Sequence, residues 1–282
     1  TYIVNNPADA TQIFELQNDR GKRLTDLESI KSYLMHTIYL NALHPADHLN
    51  KIQTLFSKLY RTIEQIGTKH FKPESEDSIL SYHCVGYLDW VENEWRAPKD
   101  LIKKELAGIP KKQRTEWVAK FSEELLISYL SVLEILTAVE EEADYPELIE
   151  LLAISRMASF WPLLIKIWPM DKTADKRNFR KCCRLCEVFG FKGYAIAGVR
   201  SDTGNSQIRT AAKNFTGDFE VLAQQICQLA NGWGIPDRFV TSLQSPYFYN
   251  FNKADVRYFY WKYENHLRNQ TGQHQPLLSW KS

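Results

Sequence analysis

A turn near the start of the chain concentrates side chains that can bind an anion. It reads Asn18-Asp19-Arg20-Gly21-Lys22. Arg20 and Lys22 directly precede a predicted helix, where free N–H groups and the helix dipole favour negatively charged groups such as phosphate. The same residues also make an ordinary structural turn, in which Asn18 or Asp19 caps the preceding helix and Gly21 takes a left-handed conformation. The pattern supports both interpretations, a phosphate site and a structural turn.

A basic stretch between Lys172 and Lys213 is the second candidate site. Its predicted helix, about 174–189, places cations four residues apart, and residues at that spacing share one helix face. Three cations aligned in this way suit the phosphate backbone of a DNA duplex. The residues expected to contact DNA phosphates are Lys176, Arg177, Arg180, Lys181 and Arg184, of which Lys176, Arg180 and Arg184 are the aligned three.

An acidic stretch offers an alternative explanation for these cations. Between Glu134 and Glu150 all charged residues are acidic. The acidic and basic stretches can pair with each other, or each can form a solvated surface, as most charge runs do.

Metal ligation and catalysis find little support in the spacing of the reactive residues. Cys183 and Cys186 form a CxxC pair, but no second pair completes four ligands, and Cys182 and Cys186 suit one buried helix face. His44 and His48 straddle Pro45, which separates them between a loop and a helix start. No phosphate-binding loop, dinucleotide fingerprint or nucleophile elbow is found. We therefore expect neither metal ligands nor catalytic residues in this chain.

Aromatic residues cluster towards the C-terminal end. One group runs from Tyr247 to Phe251 and a second from Tyr258 to Trp261. Such residues can stack on nucleic-acid bases, but their helical spacing also fits packing in a hydrophobic core. We interpret them as core residues.

The elements that must position these residues are helices. Thr25 and Glu28 form a capping box, and it opens a helix whose apolar residues recur at helical spacing. Further helices are predicted at about 47–67, 78–95, 111–142, 174–189, 206–215, 218–231 and 253–268, with a short helix restarting at 97–100 and another starting at Pro146. The segment 190–204 is predicted as a turn region, and short strands are predicted around Val4 and at 277–280. The fold class is therefore all-α, a multi-helix bundle-like array with strand fragments at the termini. Its weakest joint lies at 96–110.

Composition and charge exclude several classes of protein. The 282 residues are 44% hydrophobic and carry a net charge of +1, so no global field attracts nucleic acid or membrane. No apolar run is long enough to span a membrane. The 5 cysteines are scattered and odd in number, which indicates a reducing cytoplasm rather than a disulfide framework.

The N-terminal turn and its helix resemble a phrase of the GmrSD-type restriction and phage-defence proteins. The matching residues are Ile13-Phe14-Glu15, Asn18-Asp19-Arg20-Gly21-Lys22, Leu24-Thr25, Ile30-Lys31 and Tyr33-Leu34, with Gln17 in place of a usual aliphatic residue. In that family the phrase closes a ParB-like nucleotide domain and opens a helical region. The helix with Tyr258-Phe259-Tyr260-Trp261 is similar to the one that precedes the family's C-terminal HNH nuclease domain.

The resemblance implies a central helical region without the family's catalytic motifs. The Asp-Gly-Gln-Gln-Arg motif of the nucleotide domain and the HNH motif are both absent from the 282 residues. The implied domains are 1–24, the end of the ParB-like domain; 25–105, a helical subdomain; and 106–282, a larger subdomain leading to the nuclease. Asn18, Asp19, Arg20, Gly21, Lys22 and Lys31 are then expected at the interface with the nucleotide domain.

The same resemblance sets the expected function, cofactors and partners. The chain would couple nucleotide state to DNA cleavage and be inactive alone. Its partners would be DNA and the family's own N- and C-terminal domains, with no membrane. It would hold no cofactor itself, whereas the parent protein would use a nucleoside triphosphate and a divalent metal. The alternative is a non-catalytic helical scaffold that binds other proteins through the acidic and basic stretches.

Overall fold

The computed structural model describes residues 24–73, 75–140, 145–154, 156–250, 253–270, 278 and 280. All regular elements within these ranges are helical, which confirms the predicted all-α class. Contacts divide the chain into two units, residues 1–134 and residues 135–282. This division lies further along the chain than the predicted boundary at 105. In the described ranges, no helix combines the length and apolar character that a membrane crossing requires.

The first unit is built on a central N-terminal helix. Its helices are α1 (Asp26–Asn41), α2 (Pro45–Gly67), α3 (Glu76–Tyr87), α4 (Pro98–Gly108) and α5 (Lys111–Glu140), which continues into the second unit. Helix α1 packs against α2, α3 and α4. The apolar stripe predicted from the sequence is fully buried: Leu27, Ile30, Leu34 and Ile38 have no exposed surface.

The helix predicted over 78–95 is shorter than expected. It ends at Tyr87, and a 3-10 turn, Glu94–Arg96, follows. Glu92 takes a positive φ of 50°, a conformation that a right-handed helix cannot contain. The indole N–H of Trp90 folds back onto the carbonyl oxygen of Val85 at 3.0 Å. The chain therefore turns where the apolar spacing alone predicted a continuous helix.

The second unit contains seven further α-helices among the described residues. They are α6 (Pro146–Ala153), α7 (Trp161–Ile167), α8 (Arg177–Phe189), α9 (Asn205–Asn214), α10 (Phe219–Asn231), α11 (Ile235–Leu243) and α12 (Lys253–Gln270). Short 3-10 turns lie at Met157–Phe160, Trp168–Met170 and Phe248–Asn250. Helix α8, the predicted basic helix, packs against both α6 and α10. It is thus the central element of this unit.

A π-helix, Gly190–Ile196, extends α8 where a turn region was predicted. A Cβ atom on Gly193 would lie 3.1 Å from Ile235 Cδ1, so the missing side chain allows α11 to pack close to the π-helix. π-helical turns are rare in proteins, and those that do occur are often found at functional sites. Gly190 and Gly193 lie in the segment predicted as a turn, but in the structure they allow neighbouring side chains to pack closely.

Two further sequence predictions were wrong. Helix α11 was not predicted, although Pro236 lies in its first turn, where proline is tolerated. No strand forms at the described C-terminal residues 278 and 280. Leu278 instead donates its backbone N–H to Asn265 Oδ1 at 2.8 Å and accepts from Trp261 Nε1 at 2.8 Å, so side chains of α12 take its hydrogen bonds. Val4 lies outside the described residues.

Candidate nucleic-acid interface

Helix α8 presents one face to the core and another to solvent. The buried face carries Phe179, Cys182, Cys183, Cys186 and Glu187. The exposed face carries Arg177, Lys181 and Arg184, whose spacing of four and three residues places them on one side of an α-helix. We call these three residues the basic face. Within the described part of the chain, the guanidinium groups of Arg177 and Arg184 have no hydrogen-bond or ion-pair partner.

Two of the cations predicted to align with Arg184 are engaged inside the unit. Lys176 precedes the helix with a left-handed φ of 50°, and its Nζ donates to the carbonyl oxygens of Asp171 at 2.8 Å and Trp168 at 3.0 Å. Arg180 donates two hydrogen bonds to the Glu147 carboxylate, at 2.9 and 3.1 Å. The predicted triplet therefore does not form one free face. The exposed cations that share a face with Arg184 are Arg177 and Lys181 instead.

Among the described residues, the acidic and basic stretches pair through Arg180 and Glu147. The two hydrogen bonds from Arg180 join α8 to Glu147 of α6, and they raise the pKa of Arg180. Lys181 also has an acidic neighbour, because its Nζ lies 2.8 Å from Glu220 Oε1 on α10. Both groups of that second pair are exposed, so the pair adds little stability, and another anion can replace Glu220 as the partner of Lys181.

The N-terminus of α8 is capped by a buried aspartate. Asp171 Oδ2 accepts the backbone N–H of Phe179 at 2.8 Å, and Oδ1 accepts the Thr173 hydroxyl at 2.7 Å and its N–H at 3.0 Å. Burial raises the pKa of Asp171, but these hydrogen bonds outweigh it and hold the pKa below the ordinary value of 3.8. The positive end of the helix dipole is thus already matched by an internal carboxylate.

The N-terminus of α1 is occupied in the same way. Thr25 and Glu28 form the predicted capping box, with hydrogen bonds of 3.2 and 2.9 Å. The carboxylate of Asp77 accepts the backbone N–H groups of Asp26 at 3.3 Å and Leu27 at 3.2 Å. An external phosphate therefore finds the N–H groups of residues 26–28 already bonded. The anion at this helix end is Asp77.

The turn itself, Asn18-Asp19-Arg20-Gly21-Lys22, lies outside the described residues. Lys31 of the predicted interface is described. Its Nζ lies 5.2 Å from the ring centroid of Tyr60 and 6.0 Å from that of Phe56, both on α2. Lys31 thus makes cation–π contacts within the first unit.

The cysteines and histidines considered as metal ligands do not assemble into a site. Within the described residues, no group of three or more His, Cys, Asp or Glu side chains could hold a metal ion. Cys182, Cys183 and Cys186 are buried in the core face of α8, and burial raises the pKa of each thiol. His44 precedes α2 and His48 lies in its first turn, as Pro45 between them predicted.

An ionic cluster around the buried Glu187, which the sequence did not reveal, joins α8 to α6 and α12. Glu187 is 1% exposed, and its Oε1 accepts from Tyr258 Oη at 2.8 Å and from Lys262 Nζ at 2.8 Å. Lys262 also binds Glu150 Oε2 at 3.0 Å. Burial raises the pKa of Glu150, and Lys262 opposes that change. The four-residue spacing of Tyr258 and Lys262 is the one signal by which sequence could have paired them.

The aromatic residues divide between core and surface. Phe248 and Tyr258 are buried, as the core interpretation predicted, whereas Tyr247, Tyr260 and Tyr263 are exposed. The Tyr263 ring stacks on Phe259 at a centroid distance of 6.3 Å. The second group therefore contributes to the core through only part of its residues.

The first unit also contains a serine–histidine pair that sequence did not bring together. His83 Nδ1 lies 2.8 Å from Ser128 Oγ, and both residues are fully buried. The hydroxyl of Ser128 donates to the carbonyl oxygen of Glu124, and the His83 ring stacks on Tyr87 at 4.6 Å. A nucleophile needs access to substrate, so this pair serves the core rather than catalysis.

A cavity of about 580 Å³ opens at the C-terminal end of the π-helix. We call it the π-helix cavity. Its charged lining residues are Arg156, Arg200, Asp202 and Asp255, and much of the rest is contributed by the segment 194–201. Apolar side chains of Ile196 and Val199 line it beside these charged groups, and ligand sites commonly combine an apolar lining with a few polar groups.

No family model matches the chain, and neither a curated protein nor a solved structure matches it.

Proposed function

We propose that this chain is the helical connector and sensing region of a GmrSD-type modification-dependent restriction protein. In this proposal it couples nucleotide state in an N-terminal domain to DNA cleavage in a C-terminal nuclease domain, and it is inactive alone. The observation that carries the DNA-binding part is the basic face of α8, formed by Arg177, Lys181 and Arg184.

Phosphate contact is the chemistry that best fits this face. Arg177 and Arg184 have exposed guanidinium groups without an internal partner in the described residues, so binding DNA breaks no existing bond there. Lys181 gives up only an exposed pair with Glu220. Contacts of this kind neutralise backbone phosphates and release counterions, which yields binding that is independent of sequence and sensitive to salt.

The opposite face of α8 supports the coupling part of the proposal. There Glu187 is bonded by Tyr258 and Lys262 of α12. Helix α12 is the element that the family resemblance places before the nuclease domain. A displacement of α8 on DNA binding would therefore reach α12 through the short hydrogen bonds of the buried Glu187 carboxylate.

The remaining parts of the proposal concern the parent protein. Its nucleotide domain would meet the segment Asn18–Lys22 and Lys31, and it would supply the nucleoside triphosphate chemistry. Its nuclease domain would supply the divalent metal. We propose a reducing cytoplasm as its location, since the cysteines form no disulfide among the described residues.

The DNA-binding part is tested by fluorescence anisotropy with a short labelled duplex at low salt. The variant reverses all three charges, Arg177→Glu, Lys181→Glu and Arg184→Glu. The matched control reverses three exposed lysines of the first unit, Lys58, Lys111 and Lys112. We expect the first variant to lose binding, while the control binds like the unaltered chain. The slope of log K against log salt should become shallower by about 0.9 for each phosphate that the protein no longer neutralises.

Two results would contradict this part of the proposal. One is that the unaltered chain does not bind the duplex at low salt. The other is that both triple variants weaken binding equally, since only net charge would then matter.

The scaffold function remains the second candidate, and the Arg180–Glu147 pair favours it. That pair and the Lys181–Glu220 pair show that part of the basic stretch is neutralised within the unit. A protein partner would then bind the remaining surface. A pull-down that survives nuclease treatment and is lost on reversal of Arg177 and Arg184 would support the scaffold.

A further inference from the structure

We propose that the π-helix cavity binds a small phosphate-bearing ligand, with Arg156 as its principal contact and Arg200 as its second. This site is separate from the basic face of α8 and does not depend on the function proposed above. The cavity volume of about 580 Å³ lies in the range of small-molecule sites.

The loop between the π-helix and α9, residues 197–204, lines the cavity and is held by hydrogen bonds to residues of those two helices. Tyr194, at the end of the π-helix, donates its hydroxyl to the carbonyl oxygen of Thr203 at 2.6 Å. Asn205, the first residue of α9, donates its side-chain amide to the carbonyl oxygen of Ser201 at 3.1 Å. Both ends of the loop are therefore fixed to helices. A preorganised loop loses little conformational entropy when a ligand binds.

The charged residues around the cavity differ in how far their hydrogen bonds are already made within the protein. The Asp202 carboxylate already accepts from Arg200 Nη2 at 2.7 Å, and Asp255 is 4% exposed and has its own partners. Arg156 is exposed, and its hydrogen bond to the carbonyl oxygen of Tyr194 is long, at 3.4 Å. Arg156 is therefore the charged group of the lining that keeps N–H donors for a ligand.

Arginine in this setting selects oxygen anions. A guanidinium group offers five N–H donors in a planar fork that matches phosphate oxygens two at a time. Burial raises the pKa of the Tyr194 hydroxyl, and of its charged neighbours Arg209 and Arg156 lower that pKa while Asp202 raises it, so charges of both signs lie near the inner wall. Phosphate is the ligand group whose oxygens match the planar fork of Arg156 two at a time.

Binding is tested by calorimetric titration of inorganic pyrophosphate and inorganic phosphate into the 282-residue chain at low ionic strength. We expect saturable binding of pyrophosphate. Arg156→Gln should weaken it about tenfold or more, because a charge-assisted hydrogen bond is removed. Arg156→Lys should restore part of the affinity. Asp202→Asn should tighten binding several-fold, since it frees Arg200.

The matched control is Arg184→Gln, which removes an exposed arginine from the basic face. It should leave pyrophosphate affinity unchanged and weaken binding to duplex DNA. Arg156→Gln should weaken pyrophosphate binding and leave the affinity for duplex DNA unchanged. Because Arg156 is exposed, its variants should keep the helical circular dichroism of the unaltered chain.

Three outcomes would overturn the inference. The first is that neither probe binds saturably. The second is that Arg184→Gln and Arg156→Gln weaken pyrophosphate binding equally, which would indicate attraction to net charge. The third is that Arg156→Gln also weakens duplex binding and the duplex displaces pyrophosphate. In that case the phosphate belongs to nucleic acid rather than to a small molecule.

Discussion

Lys262 Nζ lies 2.8 Å from Glu187 Oε1 and 3.0 Å from Glu150 Oε2, so one ammonium group joins carboxylates of α8 and α6. Lys262 itself belongs to α12, and this cluster therefore ties three helices of the second unit together. Glu187 Oε2 is buried without a hydrogen-bond partner in the described residues. Among the described residues, Tyr258 and Lys262 are thus the side chains that bond the Glu187 carboxylate.

Replacing Lys262 with methionine should destabilise the second unit. The variant Lys262→Met removes the cation but keeps a side chain of similar length, and among the described residues it leaves Tyr258 as the partner of the buried Glu187. Breaking a buried pair from one side costs about 3 kcal/mol. We expect a decrease of that order in the free energy of unfolding measured with urea.

The control for this experiment is Lys253→Met, an exposed lysine on the same helix. It should change the free energy of unfolding by less than about 0.5 kcal/mol. Equal effects of the two variants would show that the buried ion pair contributes nothing specific.

The Asp171 cap predicts a defined dependence of stability on pH. Its pKa is lower in the folded chain than the ordinary value of 3.8, so the folded state binds fewer protons near that pH. Its stabilisation is therefore fully present above pH 3.8 and is lost as pH falls through the lowered pKa. Asp171→Asn should cost about 1 kcal/mol at pH 7.

Urea unfolding of the unaltered chain and Asp171→Asn between pH 7 and pH 3 measures this effect. The difference between the two free energies should shrink at the acid end of the range. A difference that stays constant, or grows as pH falls, would contradict the capping role.

Alanine substitutions at two glycines with positive φ should distinguish the cost of backbone strain from the cost of a steric clash. Gly198 has a φ of 60° and open space around a built Cβ, whereas Gly204 has a φ of 76° and a built Cβ only 2.6 Å from Phe189 Cζ. Gly198→Ala should cost about 1 kcal/mol for the left-handed conformation. Gly204→Ala should cost about 3 kcal/mol, because overpacking against a buried ring adds to it. Thermal unfolding of both variants gives the comparison, and equal losses of stability would argue against the clash.

The cysteines should differ sharply in reactivity. Cys227 is exposed, whereas Cys84, Cys182, Cys183 and Cys186 are buried. Burial raises the pKa of Cys182 to about 12, so its reactive thiolate is scarce at neutral pH. An aromatic disulfide reagent should react rapidly with one thiol in the native chain and with the others only in urea. Cys227→Ser should abolish the rapid phase. A second rapid thiol would mean that the core opens.

Much of the helical structure was predictable because its determinants are local. The capping box at Thr25 and Glu28 and the stripe from Leu27 to Ile38 each lie within one helix, so sequence spacing alone identifies them. The start of α6 at Pro146 and of α10 after Asp218 follow from residues that favour the first turn. A glycine can serve a turn or close packing, and at Gly193 local rules predicted a turn where the chain forms a π-helix.

The candidate sites were decided by contacts between residues far apart in the chain. Sequence identified the cations of α8 but not which of them are free, because Glu147 lies 33 residues before Arg180 and still binds it. Asp77 reaches the start of α1 from 50 residues away. Helical periodicity fixes which residues share a face, since it depends on the backbone of one segment. Which faces are neutralised, capped or open to a ligand depends on packing, and that only the tertiary structure determines.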